Sequence, residues 1–228
     1  MKYILTLIII CLWQVSFAQQ ISYSEWKEQA KSDIRLQPEY GHISKTAGQK
    51  EADEKLIQDE LKQNGTRRKA SEALIKTGFD YLYRGNIVTA MYRFNQAYLL
   101  DATNENIYWG FGAIYFNFND TNEALRQYAK GLAINPKNSN ILTDKASIYM
   151  SIFENKGGAT NLNIAIDLFN KSYNIDPSNQ NTLFKLSAAY FYQKDCTNAW
   201  KFYNECMKLG GNPITQDYTD ALKKMCSK

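Results

Sequence analysis

The chain has 228 residues, 44% of them hydrophobic, and a formal net charge of only +4. That is enough apolar material for one large domain or a short repeat array. Charges of both signs are interspersed, which argues against a nucleic-acid surface; the one basic cluster, Arg67-Arg68-Lys69, reads as a solvated helix end.

The first element is a targeting segment. Met1-Lys2 gives a positive start, Tyr3 to Val15 is almost wholly apolar, and Ser16-Phe17-Ala18 is a small-x-small cleavage site. This is the order of a secretory signal peptide over residues 1–18, with cleavage after Ala18. The run is shorter than the ~20 residues a membrane-spanning helix needs, and no later stretch is apolar enough to span. Two alternatives stay open. One is a lipoprotein signal at Cys11, although Ile10 stands where a small residue belongs; the other is an uncleaved anchor. An N-terminal helical extension, 19–69, comes next. Tyr23 to Leu36 is expected to form one helix, Pro38 to His42 a break, and Gln49 to Lys62 a second helix. That second helix carries Ala52, Leu56, Ile57 and Leu61 on one face and ends at Asn64-Gly65. Its acidic pairs, Asp53-Glu54 and Asp59-Glu60, alternate with Lys50, Lys55 and Lys62, which suits a solvated face rather than acid–base chemistry. The extension is expected to cap the region beyond residue 70; alternatively 19–47 is a flexible arm.

The next elements repeat. Gly78-x-x-Tyr81-x8-Ala90-x3-Phe94-x2-Ala97 returns 34 residues later as Gly112-x-x-Tyr115-x8-Ala124-x3-Tyr128-x2-Gly131-x4-Pro136. It returns again as Ala146-x-x-Tyr149, then Ala165-x3-Phe169-x2-Ser172-x4-Pro177, and finally as Ser187-x-x-Tyr190-x8-Ala199-x3-Tyr203-x2-Cys206. The pattern resembles the tetratricopeptide repeat, with four copies over 71–213 (71–104, 105–138, 139–179 and 180–213). The resemblance implies an all-α fold: a right-handed superhelical solenoid of helix hairpins. Small residues let the two helices of a hairpin approach, aromatics fill the space beside them, and stacking buries what one hairpin cannot. Pro136 and Pro177 stop the second helices. Asn104, Asn138 and Asn179 are expected to cap the next first helices. Three departures stand out. Ala102 replaces the usual proline. The third copy carries seven extra residues, expected as a mobile polar loop over 154–163 around Gly157-Gly158. The fourth ends in Gly210-Gly211 with a late Pro213. A capping helix, 214–228, closes the array, with Tyr218, Leu222 and Met225 on its buried face.

Three cysteines lie beyond the signal segment: Cys196, Cys206 and Cys226. An exported protein meets an oxidising compartment. Within the repeat, Cys196 opens a helix and Cys206 lies about 15 Å along it, too far for a disulfide, which needs Cα atoms within about 7 Å. An antiparallel cap brings Cys226 back to Cys196, so that pair is the expected disulfide; the alternative is three unpaired thiols. Zinc is not expected, because the cysteine spacings are wrong and the single histidine, His42, is remote.

In this family the first helices line a concave groove. Carried over position by position, its partner-binding residues would be Phe79, Tyr83, Asn106, Trp109, Phe116, Asn140, Met150, Asn181, Phe184, Phe191 and Tyr192. Aromatic anchors suit protein or peptide recognition, although each could equally pack on the next helix, and the three asparagines could be plain first-turn residues. Co-chaperone members grip a C-terminal carboxylate with a basic clamp. Here the clamp positions hold Ile75, Phe79, Asn140 and Asp144, so that ligand class is disfavoured. No metalloprotease, nucleophile-elbow, phosphate-loop or dinucleotide motif occurs. The expectation is a non-enzymatic scaffold, without cofactor, that binds a protein or peptide. The resemblance to exported relatives places it in the periplasm or envelope of a Gram-negative bacterium. A self-associating homo-oligomer and a glycan or small-ligand binder remain alternatives.

Overall fold

The computed structural model describes residues 21–227, and every regular element among them is helical. The signal read over 1–18 lies outside the described residues.

Tyr23 to Leu36 is not one helix. α1 (Tyr23–Gln29) opens with a capping box between Ser22 and Glu25 and stops after two turns. A separate 3-10 turn, Ile34–Leu36, comes after it. The cause is local: Asp33 is extended, and its carboxylate accepts from the Arg35 backbone and from the Arg35 guanidinium, starting a new turn instead of prolonging the old one. The expected break is a left-handed turn, with φ of 57°, 57°, 61° and 56° at Glu39, Tyr40, Gly41 and His42. α2 (Ala47–Asn64) outruns its expected bounds at both ends, from a Thr46 cap to Gly65.

Residues 21–43 form a strap rather than a flexible arm. Trp26 and Leu36 are buried, and Asn95 binds the strap backbone around Arg35, Gln37 and Tyr40. The strap also reaches past the first hairpin. Tyr23 stacks on Phe118 and donates to Asp120, while Glu39 pairs with Lys130.

Four hairpins make up the rest of the stack: α3 (Arg67–Tyr83) with α4 (Ile87–Leu100), α5 (Asn106–Asn117) with α6 (Thr121–Ile134), α7 (Ser139–Lys156) with α8 (Ala159–Ile175), and α9 (Gln180–Tyr192) with α10 (Cys196–Lys208). Each first helix packs on its partner, on the next first helix and on the preceding second helix. The first helices therefore form the inner layer of a stack. Three hairpin turns use one device. A left-handed residue (Gly85, Asn119 or Lys194) precedes a cap (Asn86, Asp120 or Asp195) whose side chain accepts from the backbone N–H three residues on.

The third hairpin is built differently, and the expected loop over 154–163 is absent. The seven extra residues lengthen both helices to 18 and 17 residues. Only Gly157-Gly158 turns the chain, with φ of 71° and 95°, a region that glycine enters without a Cβ penalty. Between hairpins, Asp101, Asn135 and Asp176 each accept from the N–H two residues on. This Asx turn is why Ala102 serves where proline is usual. Asn138 and Asn179 cap α7 and α9 as expected. Asn104 does not cap α5: that place falls to Glu105, while Asn104 accepts from Asn106 N and donates to Ser71 of the preceding hairpin.

The small-and-aromatic pattern is the core. Ala90, Ala124, Ala165 and Ala199 are fully buried, as are Phe94, Tyr128 and Phe169. Cys206 occupies a small-residue packing position, which accounts for a buried free thiol. A Cβ at Gly112 would fall inside the buried Tyr128 ring. Gly112→Ala is therefore expected to destabilise by about 1–3 kcal/mol through overpacking. A lowered denaturation midpoint would show it; an unchanged midpoint would mean the ring can yield.

α11 (Gln216–Met225) lies against α10, and Cys226 at its end is disulfide-bonded to Cys196, with Cα atoms 5.4 Å apart. Its buried face is Thr219, Leu222 and Cys226, with Tyr218 half-buried beside them. Met225, expected on that face, is 48% exposed, because Cys226 takes the inward place at the end of the helix.

Candidate functional site

The inner layer divides into two parts. Toward the N-terminus, Phe79 packs on Trp109 with ring centroids 4.1 Å apart and planes tilted by 44°, and stacks on Tyr83 at 6.0 Å. Phe79 is buried, whereas Tyr83 is 77% exposed and is the open aromatic of this group. The Trp109 indole donates to Asp144 Oδ2 at 2.6 Å. Trp109 is thereby built into the wall, its ring on Phe79 and its N–H on a carboxylate. Burial raises the pKa of Asp144, opposed by this hydrogen bond and by the charge of Lys185.

The asparagines have structural partners. Asn106 accepts from Asn138 at 2.8 Å, and Asn140 accepts from Asn179 at 3.2 Å, so these amides join one hairpin to the next. Asn181 is exposed on the first turn of α9. Thr143, also on the inner layer, is buried in a hydroxyl cluster with Ser172 and Thr182.

Toward the C-terminus the remaining expected residues converge. Phe116, Met150, Phe184, Phe191 and Tyr192 line one cleft of about 460 Å³. They come from α5, α7 and α9 because successive first helices present the same face to the hollow. Phe116, Phe184 and Phe191 are half-buried, Met150 is buried, and Tyr192 is 44% exposed.

Sequence reasoning missed Glu154, Lys185 and Tyr218 among the residues that line this cleft. Glu154 sits on it because α7 continues through the segment read as a loop. Lys185, half-buried on α9, carries no motif; its one signal was its place next to Phe184. Burial lowers the Lys185 pKa, while Asp144 and Glu154 act to raise it. Tyr218 comes from the cap helix, bonded to the Ser187 hydroxyl at 2.6 Å, with its ring 5.3 Å from Phe184 and 5.9 Å from Phe191. The cap is thus one wall of the cleft as well as the end of the stack.

A second cleft, about 530 Å³, lies between the strap, α2 and α4. Its charges are paired internally: Arg35 with Asp33, and Lys45 with Asp53. The guanidinium also covers Tyr92 and the ammonium covers Tyr40. Little polar capacity is left there for a ligand. Among the described residues no cluster of three or more His, Cys, Asp or Glu is placed to hold a metal, and no helix is long and apolar enough to cross a membrane.

No protein-family model matches the chain, and no curated protein matches it. Solved structures do. One, described as the functional characterisation of Pseudomonas aeruginosa PilF, aligns with a TM-score of 0.57 at 18% identity over 70% of this chain and 68% of that one. TTC0263, a thermophilic tetratricopeptide-repeat protein of Thermus thermophilus, aligns with a TM-score of 0.56 at 12% identity over 68% and 80%. A chain of the APC/C hetero-tetramer Cut9–Hcn1 aligns with a TM-score of 0.55 at 16% identity over 89% of this chain and 38% of that one. Together with the small-and-aromatic repeat and the paired helices, these likenesses show that the chain has the tetratricopeptide-repeat fold, a helical solenoid.

Proposed function

We propose that this protein is a non-enzymatic scaffold that holds a peptide segment of a partner protein in the cleft between α5, α7, α9 and α11. The observation that carries this reading is the convergence of Phe116, Phe184, Phe191 and Tyr192 on one concave surface. Rigid aromatics there bury much area at low entropic cost, which is how a few residues supply most of the binding energy in protein interfaces.

We further propose that the scaffold works outside the cytoplasm, in a cell envelope. The signal-like order of residues 1–18 supports this, and so does the Cys196–Cys226 pairing, since disulfides persist in oxidising compartments.

The test is capture of synthetic peptides on an array by the full mature chain, comparing wild type with a Phe184→Ala/Phe191→Ala variant. Binding should fall at least tenfold, the loss of about 1.4 kcal/mol or more, while the far-ultraviolet helical signal stays the same. Equal capture by both proteins would remove the cleft as the site.

A further inference from the structure

One cation in the cleft has no protein group in direct contact with it. Lys185 lines it between Phe184 and Ala188, yet among the described residues its ammonium makes no hydrogen bond and no direct ion pair. An ammonium has three donors to satisfy; this one reaches solvent, so a ligand acceptor there would take the place of water. The neighbouring carboxylates are both engaged. Asp144 accepts the Trp109 indole, and the charge of Glu154 acts on the Tyr192 phenol, whose pKa burial and Glu154 raise. What the cleft offers is therefore a donor, set among aromatic walls.

The charge of that acceptor can also be argued. Glu154 lines the cleft with Lys185, and the charges of both Glu154 and Asp144 act on the ammonium, so two carboxylates already balance one cation before any ligand arrives. A second anion beside Lys185 would face Asp144 and Glu154 in a partly desolvated site, where like charges interact more strongly than in water. A neutral carbonyl satisfies the ammonium without that repulsion. The arrangement opposes a carboxylate clamp: Asp144 stands where such a clamp carries a cation.

We infer that the cleft takes an internal, uncharged stretch of extended chain, seating a bulky apolar side chain against Phe184 and Phe191 and a backbone carbonyl on Lys185, and that it rejects a free C-terminal carboxylate or an acidic residue at that place. This rests on the peptide-binding role proposed above and names the class of segment bound. The other polar groups at the cleft fit it. The Ser147 hydroxyl is spent on the Thr143 carbonyl, and the Tyr218 hydroxyl on Ser187, while the Ser151 hydroxyl accepts from Asn155; Lys185 is the charged donor at the cleft.

The experiment uses the full mature chain and fluorescence anisotropy with acetyl-capped ten-residue peptides. Each carries one Phe or Leu in a Ser/Asn background, is made both as C-terminal amide and as free acid, and has either Asn or Asp beside the apolar residue. Amide and Asn forms are expected to bind about tenfold tighter than acid and Asp forms, in line with like-charge exclusion, with little dependence on salt. Lys185→Met should weaken the neutral peptides about tenfold and keep the discrimination against acid and Asp forms, because Asp144 and Glu154 remain, whereas Lys185→Gln, which keeps an N–H donor, should retain most of the binding. Tighter binding of acid or Asp forms, lost in Lys185→Met, would make Lys185 an anion anchor; it would overturn this inference and leave the peptide cleft standing. If no neutral peptide binds, both the inference and the peptide-site reading fall.

Discussion

Replacing Asn95 by alanine is expected to release the N-terminal strap while leaving the helical stack in place. Asn95 is fully buried on α4. Its Nδ2 donates to the carbonyls of Arg35 and Gln37 at 2.8 and 2.9 Å, and its Oδ1 accepts from Tyr40 N at 3.3 Å. One amide thus ties down three backbone groups of a segment built of short turns; Tyr40 N also donates to the Gln37 carbonyl at 3.1 Å, so the Arg35 carbonyl is the group that depends on Asn95. A buried group left without a partner costs about 1–3 kcal/mol, so losing the bond to the Arg35 carbonyl and both further ties weakens the docking of the strap. The turn adds to that weakening. Glu39, Tyr40 and His42 are non-glycine residues held at left-handed φ, at about 1–2 kcal/mol each, and undocking relieves that strain. Hydrogen exchange should therefore lose protection at 34–43, and trypsin should gain access to Lys31 and Arg35. Far-ultraviolet dichroism should change little, because α1 has only 7 residues. Unaltered exchange over 34–43 would show that Trp26, Leu36 and the Glu39–Lys130 pair hold the strap without the amide.

That the strap had to be found in the structure says where sequence reasoning reaches. The hairpins were legible because their packing is periodic: Gly78, Phe94 and Ala97 must recur at fixed intervals for neighbouring units to nest, and the interval survives in the order of residues. The strap is a single passage held by non-periodic contacts such as Tyr23 on Phe118 and Asn95 on three backbone groups. The third hairpin misled for a related reason. Seven extra residues with two glycines read as a loop, but the alternative of lengthening both helices buries more and leaves fewer backbone groups unpaired. That choice carried Glu154 onto the cleft. Of the groove positions carried over from the repeat, Phe116, Met150, Phe184, Phe191 and Tyr192 came together at the C-terminal end. Asn106, Asn140 and Trp109 proved to be engaged within the scaffold, because side chains lining a groove also face the next helix. Lys185 was illegible, since what distinguishes it is the acceptor it lacks.

Removing the disulfide should act on the cleft as well as on stability. In Cys196→Ser/Cys226→Ser, the closing of a loop of 30 residues is lost, worth about 3 kcal/mol in the chain-entropy account. α11 has only 10 residues, too short to persist as a helix unsupported. Its remaining ties are Leu222, the Tyr203–Thr219 hydroxyl contact, the Trp200 indole on the Cys226 carbonyl, and Tyr218 on Ser187. In a repeat array such a loss stays local, because each unit leans only on its neighbours. Hydrogen exchange should therefore rise over α11 and the end of α10, while the first two hairpins keep their protection. Tyr218 would then leave the wall it forms with Phe184 and Phe191, and peptide binding should weaken about tenfold although no groove residue has changed. Adding a reductant to the wild type should reproduce both effects. If α11 keeps full protection in the double serine variant, the packing of Leu222 and Trp200 suffices and the staple is dispensable. If protection is lost but peptide affinity is unchanged, the cap is a stopper for the stack and not a wall of the cleft. The two readouts together separate what α11 does for the fold from what it does for recognition.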